Sequence, residues 1–265
     1  QWKQGVMQMQ PILVTIGKIH IFSWGLMLAI AVIIAIIGIS KLFDQEGYQR
    51  DIVLDLVLVC VICGIVGARL AYVFTYEWEA FLAHPLTIFG LQDGGIKGLA
   101  WYGALVGGFV AFVIYLRRKE LSFWAVADMF APYLALGYGL VRVGCFLNGC
   151  CYGNITDSVC GVVFPLVDAY PRHPTQLYSA GLNILLFIIL IRFYPKRKFP
   201  GQVFLFYIIG YAIYRFIVEF FRYSEIFVGP LSLGQVYTLG LLLLGVLAYY
   251  WQKSRHREVI ADEEK

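Results

Sequence analysis

The chain has 265 residues, of which 60% are hydrophobic and only 14% charged, with a formal net charge of +4. Mean hydropathy is +0.73, and a soluble domain would carry about 25% charged residues. Composition therefore excludes a soluble globular domain. Because the basic residues stand at the edges of apolar runs, the positive charge is explained by membrane topology and not by a nucleic-acid partner. The expected fold class is all-α, a polytopic membrane protein of about seven transmembrane helices.

Residues 1–21 read as an outer N-terminal segment. Its first ten residues read as a processed end, since Gln1 cannot start translation and Met7 or Met9 could. A membrane-spanning helix needs roughly 20 mostly apolar residues. That length places spans near 22–40, 53–72, 99–116, 123–141, 177–193, 203–221 and 233–250. The first can insert by itself, so no cleavable signal is required. Lys41 and Arg50 flank the first connection, and Arg117, Arg118 and Lys119 follow the third span. Lys196, Arg197 and Lys198 follow the fifth, and Lys253, Arg255, His256 and Arg257 the seventh. All four groups fall on one face, which makes that face cytoplasmic and puts the N-terminus outside and the C-terminus inside. Residues 76–89 are aromatic and mixed in character, either an interfacial amphipathic helix or an ordinary outer loop. No separate soluble domain and no internal repeat is evident, so residues 1–265 read as one integral membrane domain.

Residues 137–153, GYGLVRVGCFLNGCCYG, organise the rest. They carry Arg142 at the end of the fourth span, then Asn148 and three cysteines set among glycines. Hydrocarbon tolerates arginine poorly, and such residues usually face a polar cavity or a partner. Gly144, Gly149 and Gly153 allow tight turns and close approach of a ligand to backbone. Arg69 lies near the outer end of the second span. In YRFIVEFFR, Arg215, Glu219 and Arg222 are four and then three apart, so one helical face displays all three. Guanidinium groups bind phosphate through paired hydrogen bonds that lysine cannot match. Several converging would suit a phospholipid headgroup; the plainer alternative is a structural Arg215–Glu219 ion pair and an Arg142 that snorkels.

His173, in RHPTQLYSA, stands between two readings, a base or substrate contact and a histidine bonded to its own loop. Pro174 suits a helix start, Thr175 and Gln176 are polar, and Tyr178 is an interfacial anchor. In GLAWYGALVGG the small residues, Gly103 among them, let helices approach closely. Tyr102 there is either part of an aromatic belt or a hydroxyl sharing a cavity with Arg142.

Cys145, Cys150, Cys151 and Cys160 fall on the outer side, where disulfides persist. Four cysteines allow three complete pairings. Disulfide bracing, free or redox-active thiols and a metal site all remain open, although C-x4-C-C-x8-C is not a usual zinc pattern. No metal and no cofactor is expected. Cys60 and Cys63 pack as small apolar residues within the second span.

In GARLAYV, GLAWYGALVGG, GYGLVRVGCFLNG, RHPTQLY and YRFIVEFFR, ordered on seven spans, the chain resembles the bacterial prolipoprotein diacylglyceryl transferases. The resemblance covers nearly the whole length. It implies transfer of the diacylglyceryl group of phosphatidylglycerol to the thiol of a prolipoprotein's lipobox cysteine, with glycerol phosphate leaving. It implies a multi-pass protein of the bacterial cytoplasmic membrane whose site faces the extracytoplasmic side. Phosphatidylglycerol, the lipobox segment and membrane lipids are then the partners. Arg142 matches the signature arginine of the family, Arg215 its second essential arginine, and Glu219 the acid one turn on. Asn148 matches the second asparagine of the signature, His173 the histidine before Pro, and Arg69 also has a counterpart. The family signature reads G-R-x-G-N-F-x-N-G-E, whereas Cys145 replaces the first Asn here and Cys150 the Glu. Tyr102 stands where many members place a histidine, and Trp24 near a family tyrosine.

The candidate catalytic set is accordingly Arg142, Arg215, Glu219, Tyr102 and His173. The candidate substrate-binding set is Arg69, Asn148, Gly149, Trp24, Gly103, Gln176 and Arg222. Cleavage of a carbon–oxygen bond at the headgroup builds charge on the departing phosphate, which fixed guanidinium groups stabilise in a water-poor site. Two alternatives remain: a related phospholipid-dependent transferase with a different acceptor, and a non-enzymatic lipid-binding or redox membrane protein.

Overall fold

The computed structural model describes residues 10–16, 19–89, 91–92, 95–96, 98–224 and 226–263. It is built from helices: α1 (Ser23–Gln45), α2 (Asp51–Tyr76), α3 (Trp78–Ala83), α4 (Trp101–Arg118), α5 (Phe123–Leu147), α6 (Thr175–Phe193), α7 (Gln202–Glu219) and α8 (Leu233–Glu263). Strands among the described residues form only short antiparallel pairs. Such a chain suits lipid, because a helix satisfies its backbone polar groups within itself. Six of the helices, α1, α2, α5, α6, α7 and α8, are long and apolar enough to cross a membrane. The protein is an all-α, multi-pass membrane protein.

The span expected at 99–116 is present as α4, which is not among those six. Arg117 and Arg118 form its last turn, and Gly103, Gly107 and Gly108 dilute its apolar character. Residues 76–89 are helical in two pieces, α3 and a 3-10 segment, Pro85–Phe89. The fourth span runs beyond the expected boundary at residue 141 to Leu147. Helical hydrogen bonding persists through Gly144 and stops only where Gly149 turns the chain with φ +73°.

The chain divides into two compact units, one of described residues up to Ile39 and from Ala127 onward, the other Ser40–Val126. In the second unit α2 and α4 touch through backbone. A Cβ on Gly67 would lie 2.4 Å from the Gly103 carbonyl oxygen, and one on Gly107 2.4 Å from that of Cys63. Small residues at such a seam let van der Waals packing and backbone contact hold helices together where no hydrophobic effect operates.

In the first unit α7 packs against both α6 and α8. Gly139 on α5 meets Ala180 and Asn183 of α6. One end of this unit is fixed by Asp128, a fully buried carboxylate on α5. Its two oxygens accept hydrogen bonds from the backbone N–H of Gly201 at 2.7 Å and of Phe204 at 2.8 Å, and Arg197 stands 3.9 Å away. Gly201, with φ +94°, is the residue before α7, so Asp128 supplies from another helix the acceptor that a helix start lacks. Gln252 of α8 donates to the Pro200 carbonyl at the same end. The far ends of α5 and α7, with the starts of α6 and α8, gather at the opposite end.

Asp128→Ala leaves two buried N–H donors and Arg197 without this acceptor, and should lower stability by about 2–4 kcal/mol. Asp128→Asn, which keeps one acceptor oxygen, should lose less. Thermal unfolding in detergent measures both, and equal stability of Asp128→Ala and the parent would contradict the role.

Candidate functional site

At that opposite end, α5 delivers its last turns into a tight reversal. Asn148 N–H bonds the Gly144 carbonyl at 2.9 Å, and Cys150 N–H bonds that of Cys145 at 3.1 Å. Gly149 takes φ +73° and Cys151 φ +65°. A non-glycine residue in this region costs of order 1–3 kcal/mol and persists only where its surroundings hold it. The first turn of α6 does so. Thr175 Oγ1 donates to the Cys151 carbonyl at 2.9 Å, and Gln176 Nε2 to the Cys150 carbonyl at 2.6 Å.

Gly153 then threads between two other elements. Its N–H bonds the His173 carbonyl at 2.9 Å, while Asn154 N–H bonds that of Phe221, also at 2.9 Å. A Cβ on Gly153 would lie 2.2 Å from the Phe221 carbonyl oxygen, 2.8 Å from Thr175 Cγ2 and 2.9 Å from His173 Cβ. Only glycine fits. Through this residue the motifs at 137–153, 171–178 and 214–222 become one structure. Gly144 allows a second close approach, its Cβ position lying 3.0 Å from the Cα of Trp24 on α1; the Trp24 side chain itself is exposed.

Around this frame stand three arginines. Arg142 donates through Nη2 to the Tyr138 hydroxyl one turn earlier, and its guanidinium lies 4.7 Å from the centre of that ring. Its Nε is buried without a hydrogen-bond partner. Arg215 pairs through Nη1 with Glu219 Oε2, as the four-residue spacing predicts. Gly234 at the start of α8 makes room for that carboxylate, for a Cβ there would sit 2.4 Å from Glu219 Oε1. The Tyr138 ring beneath Arg142 stands edge-on to Tyr211 of α7, centroids 5.8 Å apart, four residues before Arg215 on that helix, and Arg222 forms a backbone bridge with Gly153. Cys151 is pulled below the ordinary thiol value, first by hydrogen bonding with Cys145, then with Cys150, against the opposing cost of burial.

His173 has its Nδ1 3.1 Å from the Tyr178 hydroxyl and its ring edge-on to Phe221, centroids 5.1 Å apart. It is bonded within its own segment and sits at the Gly153 crossing. Gln176 is 1% exposed, and its Oε1 is buried without a partner. The cysteines are free thiols: no disulfide joins Cys145, Cys150, Cys151 or Cys160.

Three sequence candidates belong to the second unit. Arg69 donates from Nε to the Ile88 carbonyl at 2.8 Å, from Nη1 to Gly98 at 3.2 Å, and from Nη2 to Glu77 Oε2 at 2.8 Å and to the Thr87 carbonyl. These bonds organise the segment between α2 and α4. Tyr102 pairs its hydroxyl with Thr75 Oγ1 at 2.7 Å. Gly103 lies in the helix seam, with its Cβ position 2.3 Å from the Gly67 carbonyl oxygen.

Sequence reasoning missed Tyr138 and Arg172. Arg172 pairs with Asp168 at 2.5 Å, donates to the Gly153 carbonyl at 3.3 Å, and stands 5.0 Å from the centre of the Tyr152 ring. Its guanidinium also holds the Asp168 carboxyl below its usual range. Four residues separate Arg172 from Asp168, which was the available signal.

Arginines on neighbouring helices, the unpartnered Arg142 Nε and Gln176 Oε1, and a glycine crossing that joins three segments mark a polar site at one end of a multi-pass membrane protein. The profile of a family described as prolipoprotein diacylglyceryl transferase matches residues 11–251. Relatives named phosphatidylglycerol–prolipoprotein diacylglyceryl transferase include one from Vibrio cholerae, 33% identical over 262 residues and covering 95% of this chain and 96% of the relative. Another, from Geobacter sulfurreducens, is 35% identical over 243 residues, covering 89% of this chain and 92% of the relative. The chain belongs to the prolipoprotein diacylglyceryl transferase family.

Gly153→Ala forces a methyl group into the Phe221 carbonyl and should cost about 1–3 kcal/mol. Gly181→Ala, a mid-helix position on α6 with nothing within 4 Å, should be neutral or slightly stabilising. Unfolding temperatures in detergent compare them, and an unaffected Gly153→Ala would remove the crossing from the account.

Proposed function

We propose that the protein transfers the diacylglyceryl group of phosphatidylglycerol to the cysteine thiol of a prolipoprotein's lipobox, releasing glycerol phosphate. Family membership supports this reading. The observation that carries it is the link from Arg142 through the Tyr138 ring to Tyr211 on α7, the helix of Arg215, together with the backbone bridge from Arg222 to Gly153.

The chemistry follows from those groups. The acceptor sulfur attacks the glyceryl carbon that bears the phosphate ester. A carbon–sulfur bond forms as the carbon–oxygen bond breaks, and the phosphate oxygen leaves with the electron pair. Arg142 and Arg215 hold the phosphate and stabilise the charge gathering on it, an effect enlarged in a low-dielectric site. Glu219 aims Arg215, and Tyr138 aims Arg142. Arg222 adds positive field. Asn148, the Gly149 backbone and the unpartnered Gln176 Oε1 are set to contact the glyceryl hydroxyls. The thiol must become a thiolate to attack well; its proton passes to His173 through water.

The reading locates the reaction at the extracytoplasmic side of the bacterial cytoplasmic membrane. The layout of the first unit supports that orientation. Lys196, Arg197 and Lys198 follow α6 at the Asp128 end, whereas Arg142, Glu219 and the Gly153 crossing lie at the other. Gln10 N–H bonds the Leu147 carbonyl at the site end, while Gln252 near the C-terminus bonds Pro200 at the basic end. Basic residues favour the cytoplasm.

Arg142→Ala should reduce kcat/KM for transfer of labelled diacylglyceryl from phosphatidylglycerol vesicles to a lipobox peptide by about 100-fold or more. Arg142→Lys, which keeps charge but not the paired donors, should recover only part. If the parent protein forms no thioether product at any concentration while labelling another lipid or glycan, the acceptor assigned here is wrong.

A further inference from the structure

The sulfurs of Cys145, Cys150 and Cys151 all lie within 4.8 Å of one another. Sequence spacing hides this group, because C-x4-C-C matches no familiar ligand pattern. The fold creates it by ending α5 two residues after Cys145 and reversing the chain through two left-handed residues, Gly149 and Cys151. Cys145 is buried and the other two half-buried. Their backbone is pinned from a separate helix by Thr175 and Gln176. Strain at Cys151 is thus held in place by hydrogen bonds whose effect is to keep three thiols together.

Three thiols without a disulfide, so arranged, have the composition of a site for a thiophilic cation. A tetrahedral ion with metal–sulfur bonds of about 2.3 Å needs sulfurs about 3.8 Å apart, within about an ångström of the 4.8 Å that bounds this group. Three thiolates on a divalent ion leave one net negative charge. Arg142 stands three residues before Cys145 on the same helix. Structural zinc sites use four protein ligands, whereas catalytic ones use three and keep a position open. The fourth outer cysteine, Cys160, is exposed and outside the group.

We infer that Cys145, Cys150 and Cys151 bind a divalent thiophilic cation, Zn²⁺ foremost, whose open fourth position takes the acceptor thiol. This rests on the transferase reading above and supplies what that reading needs, a means of making a thiolate beside the phosphate site. On binding the ion, the acceptor thiol loses its proton through water to His173. The resulting metal-held thiolate attacks the glyceryl carbon, and the carbon–oxygen bond to phosphate breaks as the carbon–sulfur bond forms. The thioether, a far weaker ligand, then departs from the ion.

The full chain, purified in detergent with a phosphine reductant and stripped by chelator, is titrated with Co²⁺. The expected result is a sulfur-to-cobalt charge-transfer band saturating at one ion per chain, removed by Zn²⁺. Binding should weaken at least tenfold in Cys150→Ser and in Cys151→Ser and stay unchanged in Cys160→Ser. A lipobox peptide should shift the cobalt d–d bands, and its Cys→Ser version should not. No charge-transfer band, a band that survives Cys150→Ser with Cys151→Ser, or d–d bands indifferent to the peptide thiol would each overturn the inference. A Cys150–Cys151 disulfide found by mass mapping of protein isolated without reductant would do the same. Equal transfer by chelator-stripped and zinc-loaded enzyme removes the ion from the reaction and leaves the transferase reading intact. Cobalt binding as expected, with no thioether formed at any ion concentration, removes the transferase reading instead.

Discussion

Everything at the site depends on one steric fact, the passage of Gly153 between the Phe221 carbonyl and the side chains of His173 and Thr175. The backbone hydrogen bonds on either side of it tie the chain after α5 to the segment before α6 and to the end of α7. Each of those three segments carries polar residues that hydrocarbon would otherwise reject: Arg142 and Asn148, His173 and Gln176, Arg215 and Glu219. A single close crossing therefore sets the mutual position of groups drawn from three stretches of sequence. It also explains how the site remains ordered without a disulfide, since Arg172 grips the same glycine's carbonyl from outside while holding Asp168.

The two ends of the first unit treat charge in opposite ways. At one, Asp128 is closed off: its oxygens are taken by two backbone donors, with Arg197 nearby. A buried charge so completely bonded is fixed and has nothing left to offer a ligand. At the other, Arg142 retains a buried Nε and Gln176 a buried Oε1 without partners. Buried polar groups are rarely left so, and an exception calls for an explanation such as a ligand. The contrast separates a charge fully engaged in building the fold from polar groups that the fold leaves unpartnered, within one set of helices.

Much of this could be read from the amino acids alone. Apolar runs located the helices, because in lipid length and continuity leave few choices, and the Arg215–Glu219 pair followed from its spacing. The end of α5 could not be read, because Gly144 interrupts the pattern without interrupting the helix. Arg69 carries the same charge as Arg142, yet its donors turn to the carbonyls of Thr87, Ile88 and Gly98. Residue type gives the chemistry available to a side chain; only the path of the backbone around it says where that chemistry is directed. Gly103 makes the same point, a small residue whose purpose is helix contact with Gly67.

Cysteines were the least readable residues, and the reason is geometric. A pattern of ligands in sequence reports loops whose ends are brought together by the loop itself, as in zinc-binding knuckles. Here the ends are brought together by a helix terminus, two positive φ angles and hydrogen bonds from α6, none of which the spacing encodes. Cys145 and Cys150 stand where the resemblance to the family signature implies Asn and Glu, beside Arg142, which matches its arginine. The same turn thus holds soft sulfur where hard oxygen and nitrogen are the expectation, and it brings three thiols together.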